Sequence, residues 1–145
     1  MSRKKSFIVD ERGAVALETL IVYPVLVALL LMPLADVAAA GFQFTSAWAA
    51  LRGFGQYIQY SPPSDVTNAS SWASSALAKA GPGFPISNLQ VMCGDANAVC
   101  NSGNVTQIPK YFTFTTTVTL APIVSRWALC RATCTYTLRY SERFQ

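Results

Sequence analysis

Histidine is absent from the 145 residues, and with it the commonest general base near neutral pH and the usual zinc ligand. Acids are few. Beyond residue 60 the only carboxylates are Asp65, Asp95 and Glu142, and no catalytic motif surrounds them. Charged residues make up 12% of the chain, against ~25% in ordinary soluble domains. The stretch from Leu20 to Ala35 holds no charge at all, and no cysteine precedes Cys93. These gaps exclude the standard tools of catalysis and point to a non-enzymatic chain that needs no cofactor.

Hydrophobic residues supply 52% of the sequence, and their placement explains the missing charge. Leu20–Ala35, extended by Ala14–Leu17 before it and Val37–Phe42 after it, exceeds the ~20 apolar residues that cross a bilayer. Arg3, Lys4, Lys5 and Arg12 immediately precede the run, so the preference of basic residues for the cytoplasmic side sets the N-terminus inside and the remainder outside. Three segments follow: a cytoplasmic leader at 1–13, a membrane or assembly helix at 14–41, and an extracytoplasmic α+β domain at 42–145. Pro24 and Pro33 interrupt the apolar run. Each removes a backbone donor, yet membrane helices tolerate proline through local adjustment, which predicts kinks rather than breaks.

Helical spacing continues beyond Gly41 in Phe44, Trp48, Leu51, Gly55 and Ile58. A helix from Ala14 to about Tyr60 would be roughly 70 Å long. Gly53 and Gly55 weaken its last turns, and Ser61-Pro62-Pro63-Ser64 ends it. Ser70–Ala80 reads as a short second helix stopped by Gly81-Pro82-Gly83. Ile86–Met92, Tyr111–Leu120 and Thr133–Tyr140 have strand composition. Alternation of apolar and hydroxyl residues in the middle segment argues for a half-buried antiparallel strand. The expected architecture is α+β: a long N-terminal transmembrane helix whose C-terminal half packs on a small antiparallel sheet of three strands. Ile123–Leu129 reads as a turn or loop before the last of them. Most of Trp48, Phe54, Tyr57, Tyr60, Trp72, Phe84 and Trp127 are read as core joining helix to sheet rather than as a ligand groove.

Cys93, Cys100, Cys130 and Cys134 all lie in the part expected outside the cytoplasm, where disulfides persist. Four cysteines permit three pairings. Local pairing is favoured: Gly94-Asp95-Ala96-Asn97 is a turn-rich bridge between Cys93 and Cys100, whereas Cys130 and Cys134 meet only if Arg131-Ala132-Thr133 bends. The spacing lacks the close pairs of structural zinc sites, so no metal is expected. Half of the formal charge of +4 belongs to the leader, and Arg52, Lys79, Lys110, Arg126, Arg131, Arg139 and Arg143 are scattered, without the clustering that marks a nucleic-acid surface. Asn68-Ala69-Ser70 and Asn104-Val105-Thr106 match the glycosylation sequon, a pattern short enough to arise by chance.

One feature of the apolar run has a chemical edge. Glu18 lies near its start, and carboxylates within membrane segments are expensive enough that each calls for a named partner. Cleavage after Gly13 would expose a positive amino group on Ala14, and a helix beginning there would also present its electropositive end to Glu18. In an array of such helices, the amino group of one subunit could neutralise Glu18 of a neighbour and thereby set axial register. Asp36, near the outer end of the run, reads more readily as an interfacial residue than as a member of a specific pairing.

Arg12-Gly13-Ala14-Val15-Ala16-Leu17-Glu18, followed by an apolar helix containing Pro24, resembles the prepilin signature, most closely that of the TadE-like (TadE/TadF) minor pilins or pseudopilins of tight-adherence pili. Tyr136-Thr137-Leu138-Arg139-Tyr140-Ser141-Glu142-Arg143 is also similar to the final strand of that family. The resemblance implies a pilin-like fold, cleavage between Gly13 and Ala14 by a prepilin peptidase, and Glu18 as the characteristic acid of the mature N-terminus. It further implies an accessory pilus subunit of the bacterial inner membrane, acting in assembly, at the tip or in surface adhesion. Its partners would be other pilin or pseudopilin subunits, the inner-membrane assembly platform and membrane lipid, with no nucleic acid. Two alternatives stand beside it: a single-span anchored binding or sensor protein outside any filament, and a secreted domain released by signal peptidase near Ala38–Ala40.

Overall fold

A computed structural model describes residues 11–130 and 132–145. Most of the leader therefore lies outside the described residues, as does Arg131. Helix α1 (Glu11–Leu26) runs through a single π-helical stretch (Val27–Leu31) into α2 (Met32–Gln59), making one nearly continuous rod. The π stretch ends beside Pro33, where the Met32 N–H bonds to the carbonyl of Val27. Pro33 has no N–H to continue the ordinary ladder and its ring crowds the preceding turn. A wider turn is one recognised way for a helix to absorb such an interruption. Pro24 lies within α1. The two glycines expected to weaken the last turns do not end the rod, which continues to Gln59.

Helix α3 (Ser70–Leu77) follows the proline-rich connection, and its Trp72 indole N–H donates to the Ser61 carbonyl at 2.6 Å. The sheet comprises β1 (Ile86–Cys93), β2 (Ala98–Val99), β3 (Lys110–Thr119) and β4 (Thr135–Arg143), ordered β2-β1-β3-β4 and antiparallel throughout. It therefore has four strands, not three. The added strand, β2, is too short for composition to mark, and pairs only Met92 with Val99 and Cys93 with Ala98. Ile123–Leu129 includes a helical turn, α4 (Arg126–Leu129). In β1 the register shifts between Ser87 and Gln90, where Asn88 takes a positive φ of 53°. Such a bulge increases the local twist.

Two buried clusters fix how the sheet lies along α2. Leu51, Phe54 and Ile58 pack with Phe112 and Phe114, whereas Ala40 and Ala47 pack with Val118 and Leu120. Strand β3 thus runs antiparallel to the rod, from its far end back toward the apolar N-terminal segment, and β4 returns. The hairpin joining β1 to β2 lies at the far end, with Cys93 opposite Lys110. The β3–β4 connection lies at the near end. Aromatic contacts tighten the interface: Phe112 stacks on Phe144 at 4.2 Å, and Phe54 meets Phe114 edge-on at 5.1 Å. Gly55 permits this approach, because a Cβ there would come within 3.1 Å of Tyr140 and 3.4 Å of Phe114.

The aromatics divide. Phe54 is buried, Trp72 and Phe84 are partly buried, and Trp48 packs edge-on against Tyr140. Tyr60 and Trp127 do not belong to the core; each is 87% exposed. Tyr60 follows the last turn of the rod, and Trp127 stands on α4, within the β3–β4 connection.

Candidate functional site

The Gly13–Ala14 bond lies near the start of α1, and its side chains are outside the described set. Glu18 is exposed on the same helix, bordered by Val15, Thr19, Val22, Tyr23 and Leu26. Exposure is not confined to one stripe. Leu17, Leu20, Ile21, Val22, Tyr23, Val25, Leu29, Leu30 and Leu31 are all at least half exposed, so the N-terminal part of the rod is apolar around its circumference. Among the described residues one helix, between Val15 and Gln59, is long and apolar enough to cross a membrane, and its most apolar window has no share buried by the rest of the chain. Water is a poor neighbour for such a surface; lipid or the apolar flanks of other helices would suit it.

Asp36 is placed otherwise than expected. It is 6% exposed, enclosed between α2 and the β3–β4 connection. Its carboxylate accepts three backbone hydrogen bonds, from Ile123 N–H at 2.9 Å and from Val124 and Ser125 N–H at 2.8 Å each. Consecutive amides turned toward one point form a concave anion site, here occupied by an internal carboxylate. The carboxylate is thus specifically paired, the less favoured of the two readings of the sequence. Bonds of this charge-assisted kind are roughly twice as strong as neutral ones, so Asp36 anchors the near end of the sheet to the rod.

The anchor is reinforced within the connection. Cys130 is bonded to Cys134 with Cα atoms 4.7 Å apart, and the Tyr136 hydroxyl donates to the Leu129 carbonyl. At the opposite end, Cys93 is bonded to Cys100 with Cα atoms 5.0 Å apart. There Gly94 at φ 75° and Asn97 at φ 52° turn the chain between β1 and β2. Each end of the sheet therefore carries its own short-range covalent staple, and no free cysteine remains. Asn104, in the second sequon, is buried and internally used: its amide donates to the Val99 carbonyl and its oxygen accepts from Asn101 N–H.

Among the described residues no group of three or more Cys, Asp or Glu side chains could hold a metal. Asp65 is an exposed turn residue whose carboxylate accepts from the Thr67 hydroxyl at 2.6 Å and the Thr67 N–H at 2.8 Å. These bonds, the hydroxyl's first, hold its pKa below the usual carboxylate value. Tyr140 donates to Glu142 at 2.9 Å, and this hydrogen bond, together with burial and the nearby negative charge, raises the phenol's pKa. Both are structural arrangements on the domain surface or at the helix–sheet junction.

Geometry thus defines an α+β protein with one exposed, membrane-length apolar helix that continues into the core of a small disulfide-stapled domain. No family model, curated protein or solved structure matches the chain. The resemblance to TadE-like pilins accordingly rests on the N-terminal residues and the final strand.

Proposed function

We propose that this chain is a minor pilin or pseudopilin of a tight-adherence-type pilus, held in the bacterial inner membrane before assembly and contributing to the pilus body or tip. The observation that carries the reading is the exposed Glu18 at the head of a helix that is apolar on every side. A helix serving only as an anchor has no need of that carboxylate. One serving as an assembly rod can use it to recognise the amino group of a neighbouring Ala14. Prepilin peptidase, other pilin-like subunits and the inner-membrane assembly platform are the partners this role requires.

The domain's construction also favours retaining the whole helix. Release near Ala38–Ala40 would discard Asp36 and its three backbone bonds, and would cut beside Ala40, which packs against Val118 and Leu120. The N-terminal residue of the mature protein tests the proposal directly. Mass spectrometry of the membrane-extracted protein is expected to find Ala14 first, and Gly13→Leu is expected to accumulate a longer precursor. A mature protein beginning at Met1, with normal piliation in the Gly13→Leu strain, identifies a plain anchored binding protein instead.

A further inference from the structure

We propose that the β3–β4 connection is a membrane foot: Ile123, Val124 and Trp127 insert into the boundary between headgroups and acyl chains of the extracytoplasmic leaflet, seating the sheet domain against the bilayer from which the rod emerges. The inference depends on the rod crossing a membrane, and not on leader cleavage or entry into a filament.

Axial position comes first. Glu18 and Asp36 bracket the uncharged run, and at 1.5 Å per residue they stand about 27 Å apart. The hydrocarbon core of a bilayer is ~30 Å thick, so with Glu18 at the inner edge, Asp36 lies near the outer one. Asp36 is also the residue to which the β3–β4 connection is tied, through the amides of Ile123, Val124 and Ser125. The connection is therefore held at the level where the membrane ends.

The residues displayed there have the wrong chemistry for water and the right chemistry for an interface. Ile123 is 83% exposed, Trp127 87%, and Val124 is also exposed. Leu34 and Val37, within two residues of Asp36 on the rod, are exposed as well, so the connection is tied to a level at which the rod itself is still apolar. Tryptophan concentrates at membrane interfaces, where its apolar ring and polar N–H are both satisfied. Exposed Arg126 lies between Val124 and Trp127 in sequence, separated from Val124 by buried Ser125, and can extend its guanidinium toward lipid phosphates while its stem remains among apolar neighbours. At the opposite end the β1–β2 turn carries exposed Asp95 and Asn97, and the exposed apolar residues there, Val99 and Ile108, are not tied to the level at which the rod's apolar span ends. Only the near end combines strongly exposed apolar side chains with a position fixed at the outer edge of the span, through Asp36.

The foot is also ordered in advance. Three bonds to Asp36, the Cys130–Cys134 disulfide and the Tyr136 contact to Leu129 fix its backbone, which lowers the entropy lost on insertion.

Site-directed spin labelling of the full chain in lipid nanodiscs tests this, because no native thiol is free to react. Labels are placed at Ile123→Cys, at Leu30→Cys in the span and at Tyr60→Cys at the distant end of the rod. The label at 123 is expected to collide with oxygen more than with a water-soluble nickel chelate, as the label at 30 does, while the label at 60 shows the reverse. A water-like result at 123 beside a lipid-like result at 30 overturns the foot. So does exclusion of both reagents at 123, which indicates a protein cover. A water-like result at 30 removes the span and the foot together. A measurement that leaves the connection's sequence intact complements these: brominated lipids are expected to quench Trp127 emission in the native chain, with Trp127→Phe losing the quenchable component. Equal quenching of native and Trp127→Phe protein also overturns the proposal.

Discussion

Glu18 and Asp36 are the same chemistry on the same rod, yet one is exposed and the other enclosed by backbone amides of its own chain. The difference separates two tasks that an acid in an apolar helix can perform. Asp36 acts within the subunit: it fixes where the sheet sits on the helix. Glu18 has no such envelope, so whatever covers it in lipid or in an assembly comes from outside the described part of the chain. An internal acid and an outward one, about a bilayer thickness apart, divide the rod into a part that builds the domain and a part available to neighbours.

Substitution at the two positions separates these roles most strongly. On the proposed pilin role, Glu18→Ala is expected to leave membrane insertion and the domain's thermal midpoint unchanged while reducing incorporation into pili to background, read by immunoblot of sheared filaments. Normal incorporation breaks the assignment of Glu18 to assembly. Asp36→Ala is expected to do the converse at the first step, lowering the thermal midpoint and accelerating hydrogen exchange at the amides of Ile123, Val124 and Ser125. Asp36→Asn should fall between, since its amide group keeps one acceptor oxygen but turns donors toward donors. Unchanged exchange at the three amides in Asp36→Ala would refute the anchor.

A second comparison lies on one face of the rod against another. Gly53 is open, with nothing within 4 Å of the position a methyl group would take, whereas Gly55 faces Tyr140, Glu142 and Phe114 at 3.1–3.4 Å. Tyr140 cannot readily withdraw, being bonded to Glu142 and packed on Trp48 and Phe114. Gly55→Ala is therefore expected to destabilise the domain by about 1 kcal/mol net, a packing penalty partly offset by helix propensity. Gly53→Ala should stabilise it by about 0.5–1 kcal/mol, because only the helical preference changes. Chemical denaturation of the two variants resolves the opposite signs, and equal effects would show that the close approach at Gly55 is not limiting.

What the sequence reveals follows the range of the interactions concerned. Periodicity exposes the rod and the three principal strands, since the spacing of Leu51, Phe54 and Ile58, or of Phe112, Phe114, Thr116 and Val118, is local information. Likewise, turn residues between Cys93 and Cys100 favour a local bridge. The partner of Asp36 is not local: its donors lie 87–89 residues away, and no pattern within the apolar helix names them. Its signal was the acid itself, whose cost in an apolar run demands compensation. Strand β2 is short enough to be defined only by its neighbour, and Asn88 takes its positive φ because the β1 register shifts around it. Trp127 misled for a related reason: aromatic character predicts burial in a water-soluble core but equally suits a membrane boundary.

The smallest expected effect belongs to the acid farthest in character from the two carboxylates of the rod. Asp65 is exposed and ties only its own turn, through Thr67. Because the folded state lowers its pKa from 3.8, its contribution to stability is present above that value and is lost as pH falls through the lower, folded one. Thr67→Val removes the hydroxyl that contributes most to the shift and keeps the backbone donor. The native chain should consequently be slightly more stable than the variant at neutral pH, with the gap closing only in acid below pH 3.8. Thermal midpoints across an acid titration measure that gap; one that stays constant through the carboxylate range would mean that Thr67 acts through packing or turn propensity, and not through the charge on Asp65.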